Sequence, residues 1–167
     1  MTISLCERLE SRRQSKPNKL AYIIDGVERS NEASIDHVFR IANGLIAAGI
    51  GKGDRVAVLS RNSVECAEAM TGILCSGASM VPVPNTATPE AQRNMLLDSG
   101  VKGLFVSDQY REAALTHFSD LPTIRDDLRF ALETPCDQFA DHAIWAAQFS
   151  VESPDIHMSL DEEYDIL

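Results

Sequence analysis

Three short apolar runs, separated by two segments of helical spacing, fill residues 51–107. The runs do not alternate apolar with polar residues, which indicates strands that are buried on both faces of a sheet. Each connection is long enough for a crossover helix, so neighbouring strands should run parallel. We therefore predict an α/β fold in which helices flank a parallel sheet, with strands over 55–59, 79–84 and 103–107 and helices over 64–76 and 89–99.

Patterns on both sides of this stretch extend the prediction. Asp25-Gly26 separates two β-rich runs, and Asp-Gly is typical of the two-residue turn of an antiparallel hairpin. Residues 121–124 are predicted to form a fourth strand. From 126 to 160 the pattern is weak, with Trp145 in a short amphipathic helix and Ser153-Pro154-Asp155 interpreted as a linker.

Composition limits the classes of partner and compartment. The chain has 167 residues, 44% of them hydrophobic, which is enough for one ordinary core. A net charge of −10 argues against nucleic acid as a partner, because nucleic acid attracts basic surfaces. No apolar run reaches the roughly 20 residues of a membrane-spanning helix. We expect a reduced, cytoplasmic protein, since no C-x-x-C pair occurs among Cys6, Cys66, Cys75 and Cys136.

The residues alone assign no catalytic, cofactor-binding or metal-binding position. Gly51-Lys52-Gly53 superficially suggests a nucleotide loop, but such a loop follows a strand and opens a helix, whereas this one follows a helix and precedes a strand. Glu65 and Glu68 could form an acid–base pair, although their place in the polar stripe of the 64–76 helix favours a solvated face. The histidines lie apart, without metal-binding spacing, at His37, His117, His142 and His157.

A series of short motifs nevertheless follows one order through most of residues 18–107. It comprises Gly51-Lys52-Gly53-Asp54-Arg55, Arg61-Asn62-Ser63-Val64-Glu65, Val81-Pro82-Val83, Thr88-Pro89-Glu90 and Asp98-Ser99-Gly100. This series closely resembles the N-terminal part of AMP-forming acyl-CoA synthetases, which belong to the adenylate-forming superfamily. The chain departs from the family pattern at Pro84-Asn85, where the family often has Asn before Pro.

The resemblance implies an enzyme that activates a carboxylate, expected to be a fatty acid, with MgATP and transfers the acyl group from acyl-AMP to CoA. ATP, magnesium and CoA are expected for a longer parent protein. The family's phosphate loop directly follows the strand that matches Tyr164–Leu167. No family catalytic residue is therefore carried onto this chain, and we expect the 167 residues alone to be inactive.

The same resemblance implies an incomplete N-terminal α/β subdomain over 1–167, with its core at about 18–125 and the start of a next strand at 161–167. Its expected partner is the remainder of the parent chain, and a homodimer of the fragment is a second expected association. Two alternatives stay open. One is a stand-alone α/β interaction or regulatory module, and the other is part of an aryl-CoA ligase or of an amino-acid adenylating domain.

Overall fold

Five parallel strands form the centre of the structure, a computed structural model that describes residues 4–156. The strand order is β4-β3-β5-β6-β7, and every neighbouring pair is parallel. The strands are β3 (Arg55–Leu59), β4 (Ser79–Pro82), β5 (Gly103–Val106), β6 (Arg129–Ala131) and β7 (Ala140–Asp141). The predicted strands at 55–59, 79–84 and 103–107 are confirmed as parallel, and the second one ends at Pro82. Pro82 lies on an edge strand, and the backbone N–H of the next residue, Val83, still donates to the backbone oxygen of Val58 at 2.9 Å.

Six α-helices occur in the described part of the chain. They are α1 (Leu5–Ser15), α2 (Asn31–Ala47), α3 (Val64–Cys75), α4 (Pro89–Ser99), α5 (Asp108–Phe118) and α6 (His142–Ala146). Polar residues open several of them: the Ser63 hydroxyl accepts the backbone N–H of Cys66 at the start of α3, and the Thr88 hydroxyl accepts that of Ala91 at the start of α4.

The two faces of the sheet carry different helices. Val56 and Val58 of β3 pack with α2, α3 and α6, whereas Ala57 and Leu59 point to the opposite face and pack with α4 and α5. The order in which strands are added to the sheet reverses at β3, because β4 lies on one side of β3 and β5 lies on the other. In open α/β sheets, ligands bind outside the carboxyl ends of the strands near such a change of direction.

Close packing of α2 on α3 fixes that layer. A Cβ atom placed on Gly72 would lie 2.7 Å from Cγ2 of Ile41 and 3.1 Å from the backbone oxygen of Val38. No side chain fits in that space, so glycine allows the two helices to approach at this point. The contact holds the polar side of α3 next to α2 and to the hairpin.

The predicted hairpin is a separate two-stranded antiparallel sheet of β1 (Leu20–Ile24) and β2 (Val27–Ser30). Its turn residues Asp25 and Gly26 both have positive φ, 51° and 79°, as a type I′ turn requires. The fold class expected from sequence is therefore confirmed: a parallel sheet flanked by helices with a small antiparallel hairpin.

The prediction of a fourth strand at 121–124 is wrong. These residues form turns, and the fourth strand of the sheet is β6, at Arg129–Ala131. Leu121 and Ile124 are buried because they pack under α5 from the turn, which gives an apolar pattern without a strand. The sheet continues through β7, so residues 126–141 add two strands to it.

Residues 150–152, directly before the linker expected at 153–155, are hydrogen-bonded to the helices. The amide of Asn43 donates hydrogen bonds to the backbone oxygens of Ser150 and Glu152, and Arg13 donates one to that of Val151. Pro154 is buried. The segment is therefore tied along α1 and α2. The expected strand at 161–167 lies outside the described residues.

Candidate functional site

A polar cavity of about 420 Å³ opens at the carboxyl end of the sheet. The hairpin, α2, α3, the loop after β3 and the segment from β6 to α6 all contribute to its wall. Six charged side chains line it: Arg29, Arg61, Glu65, Glu68, Glu133 and Asp141. Its position agrees with the general place of ligand sites in open α/β sheets.

Glu68 is the most unusual residue of this wall, and the solvated face predicted for it is wrong. Its side chain is only 1% exposed, because α2 and the hairpin cover that side of α3. Burial raises the pKa of Glu68 to about 7, and this effect outweighs Arg29 and the Ser34 hydroxyl, which both lower it. The carboxyl group can therefore gain or lose a proton near neutral pH.

Glu65 lies one turn before Glu68 on α3 and remains partly exposed. Arg29 of β2 faces both carboxyl groups: its Nη2 is 3.6 Å from Oε1 of Glu65, and its Nε is 3.6 Å from Oε1 of Glu68. Both distances exceed normal hydrogen-bond lengths. Arg29 thus supplies charge to the site while its buried Nε has no hydrogen-bond partner within residues 4–156.

Two histidines that are far apart in sequence meet in the cavity. The rings of His37 on α2 and His142 on α6 stand edge to face, with centroids 5.2 Å apart. Burial lowers the pKa of His37 to about 4, with a smaller contribution from His142, and burial also lowers the pKa of His142. Both rings are therefore neutral at pH 7. His117 is elsewhere, on α5, and His157 lies outside the described residues.

Hydrogen bonds and ion pairs between charged side chains connect the ends of three strands at the rim of the cavity. Glu133, just after β6, accepts the backbone N–H of Asp108, just after β5, at 2.6 Å. Nη2 of Arg61, just after β3, lies 3.6 Å from Oε1, the other oxygen of Glu133. Arg61 also donates to Asp25 in the hairpin turn at 2.9 Å. The hairpin is thereby tied to the carboxyl end of the sheet.

The loop with the superficial likeness to a nucleotide loop does not contribute to this cavity. Gly51-Lys52-Gly53 connects α2 to β3 and lies at the amino end of the sheet, away from the cavity. Within residues 4–156, no three His, Cys, Asp or Glu side chains converge in a way that could hold a metal ion.

The cavity itself was missed at the sequence level. The sequence shows Glu65 and Glu68 one helical turn apart, but the residues that bury Glu68 come from α2 and β2, which are remote in sequence. A weak signal existed: Glu68 lies four residues after Val64 and four before Gly72, both of which are buried, so helical spacing places it beside the packed face.

Comparison with known proteins decides the family. The family model described as "AMP-binding enzyme" matches residues 9–158, which is most of the chain.

The chain belongs to the AMP-binding enzyme family. It is 35% identical over 97 residues to the fatty acid–[acyl-carrier-protein] ligase ScoC of Streptomyces coeruleorubidus, covering 58% of this chain and 19% of that protein. It is also 35% identical over 106 residues to an acetyl-coenzyme A synthetase of Pseudoalteromonas translucida, covering 60% of this chain and 16% of that protein. The matches thus span less than a fifth of these two curated relatives.

Solved structures of family members have the same fold. The inhibitor-bound N-terminal domain of FACL13 from Mycobacterium tuberculosis superposes with a TM-score of 0.78 at 25% sequence identity. The match covers 96% of this chain and 39% of that domain. The parallel sheet with its flanking helices and hairpin is therefore the N-terminal fold of the adenylate-forming enzymes, as the resemblance implied. Within residues 4–156 the structure has no helix with the length and apolar character to cross a membrane.

Proposed function

We propose that this chain is the incomplete N-terminal α/β subdomain of an AMP-forming acid–CoA ligase. The single observation that carries the proposal is the family match over residues 9–158, on a fold shared with a family member's N-terminal domain. In the proposed reaction, a carboxylate attacks the α-phosphate of ATP to give acyl-AMP and pyrophosphate. The CoA thiol then displaces AMP. We propose a fatty acid as the carboxylate, in a cytoplasmic enzyme.

The role proposed for residues 1–167 is that of a scaffold. Triphosphate binding needs convergent backbone donors, usually with a lysine, at the start of a helix. The Gly51-Lys52 pair instead precedes a strand, and at the carboxyl end of β3 the Ser63 hydroxyl already accepts the N–H of Cys66 in the first turn of α3. We propose that ATP, magnesium and CoA are held by a longer parent chain, whose remaining part packs against this one.

The hairpin is the surface that we propose for that packing. Ile23 is 64% exposed and Val27 46% exposed, so the hairpin presents apolar side chains to solvent. Apolar surface of this kind recruits a partner. In the parent protein the partner would be the rest of the chain, and in the isolated fragment it would be a second copy.

Calorimetry on the 167-residue chain tests the scaffold role. Titration with ATP and magnesium should give no saturable heat, and addition of a fatty acid should yield no acyl-AMP. Saturable binding in the micromolar range would contradict the proposal, since it would require a nucleotide site within these residues. AMP-forming activity of the chain alone would contradict it as well.

A further inference from the structure

Four polar atoms at the cavity are buried without a hydrogen-bond partner among residues 4–156. They are Oε1 and Oε2 of Glu68, Nε of Arg29 and Nε2 of His142. Buried polar atoms in folded proteins nearly always have a partner, and each one left unpaired costs stability. Their occurrence together in one cavity indicates that a molecule other than the chain itself pairs with them.

The hydrogen-bonding roles of these atoms can be assigned. Nδ1 of His142 lies 3.0 Å from the backbone oxygen of Ala131, and because a carbonyl oxygen only accepts, Nδ1 must carry the proton. Nε2 of the neutral ring is then an acceptor. The two oxygens of ionised Glu68 are acceptors too, whereas Nε of Arg29 is a donor. The Ser34 hydroxyl and Nε of Arg29 both lie close to the Glu68 carboxylate, whose two oxygens have lone pairs for further donors. The cavity therefore offers this carboxylate and Nε2 of His142 as acceptors and Nε of Arg29 as a donor.

The charges around the cavity favour a cation. Four carboxyl groups line it, from Glu65, Glu68, Glu133 and Asp141, against the two guanidinium groups of Arg29 and Arg61. An anion would meet the excess of carboxylates. A metal ion is not supported, because no three ligating side chains converge within the described residues.

We propose that this cavity binds a small primary ammonium ligand that carries a neighbouring hydroxyl group. An ammonium group has three N–H donors, enough for hydrogen bonds to both the Glu68 carboxylate and Nε2 of His142. The hydroxyl oxygen accepts the hydrogen bond that Nε of Arg29 can donate. A cavity of about 420 Å³ has ample room for such a molecule. The inference rests on the cavity alone and does not depend on the ligase function.

Ethanolamine and choline form a matched pair of probes. They have the same charge and the same hydroxyl group, but choline has no N–H donor. Binding to the 167-residue chain is measured by calorimetry at pH 8. Wild type should bind ethanolamine saturably. It should bind choline at least about tenfold more weakly, because a hydrogen bond to a charged group is worth about that factor in affinity.

Two variants locate the binding. Glu68→Gln keeps the size of the side chain but replaces one acceptor oxygen by a donor, so it should weaken ethanolamine binding by about tenfold or more. Glu112→Gln removes a carboxylate from the exposed face of α5 and should bind as wild type does. Circular dichroism confirms that each variant is folded.

Several results would overturn the proposal. No saturable heat with ethanolamine would mean that the cavity holds ordered water only. Equal binding of choline would show that the N–H donors are not recognised, and this comparison needs no variant. Unchanged binding by a folded Glu68→Gln protein would place the ligand elsewhere.

Discussion

Nε of Arg29 lies 3.6 Å from Oε1 of Glu68, so the hairpin presents a cation to a buried carboxyl group on α3 without a hydrogen bond between them. The proximity lowers the pKa of Glu68, but burial raises it more, and the result is a pKa of about 7. An acid group in this state is a stability determinant that responds to pH.

Glu68 should increase the free energy of unfolding of the chain as the pH falls. Its pKa is raised in the folded state from an ordinary value of 4.5 to about 7, so the folded protein binds the proton more tightly. The stabilisation from this proton is fully present below pH 4.5 and is lost as the pH rises to 7. Its upper limit is about 3 kcal/mol. Relative to wild type, Glu68→Gln should therefore lose stability between pH 7 and pH 4.5, as measured by urea unfolding. Parallel curves for the two proteins would contradict the assignment.

His37 should act in the opposite direction. Its pKa is lowered in the folded state from 6.5 to about 4, so the unfolded chain binds the proton more tightly. The stability from neutral His37 is present above pH 6.5 and is lost as the pH falls to about 4. Relative to wild type, His37→Asn should therefore gain stability as the pH is lowered through this range.

Together, Glu68 and His37 should make the free energy of unfolding of wild type depend only weakly on pH. Their two contributions offset each other between about pH 4.5 and pH 6.5. Urea unfolding of wild type and His37→Asn over this pH range measures the two curves. A His37→Asn protein that loses stability in acid as steeply as Glu68→Gln would show that His37 is not held neutral by burial.

The exposed hairpin should cause the isolated chain to self-associate. Ile23→Lys places a charge on the apolar surface of β1 and should shift light scattering towards the monomer. Ile144→Lys is a matched control, because Ile144 is 68% exposed and belongs to α6 and not to the hairpin. A strict monomer for wild type at high concentration, or equal effects of the two substitutions, would contradict this role of the hairpin.

Local patterns were sufficient to predict most of the sheet and the hairpin. The turn at Asp25-Gly26 and the caps Ser63 and Thr88 act through neighbouring residues, so their sequence is enough to indicate them. The fourth strand was misplaced because buried turn residues such as Leu121 have the same apolar signal as a strand.

The candidate site was hidden from the sequence for a different reason. Burial of Glu68 and the meeting of His37 with His142 depend on tertiary packing between α2, α3 and α6. A glutamate on a helix is usually exposed, and a lone histidine carries no sign of its neighbour. Only the assembled fold brings these groups together.

Acid-dependent exchange of labelled pyrophosphate into ATP tests the central claim most directly. The protein encoded by the complete gene is incubated with ATP, magnesium and, in separate reactions, fatty, aromatic and amino acids. The ligase proposal predicts exchange that depends on a fatty acid, since acyl-AMP formation is reversible and releases pyrophosphate. Exchange with an aromatic or amino acid alone would replace the proposed substrate, and no exchange with any acid would contradict the proposal that this chain is part of an AMP-forming ligase.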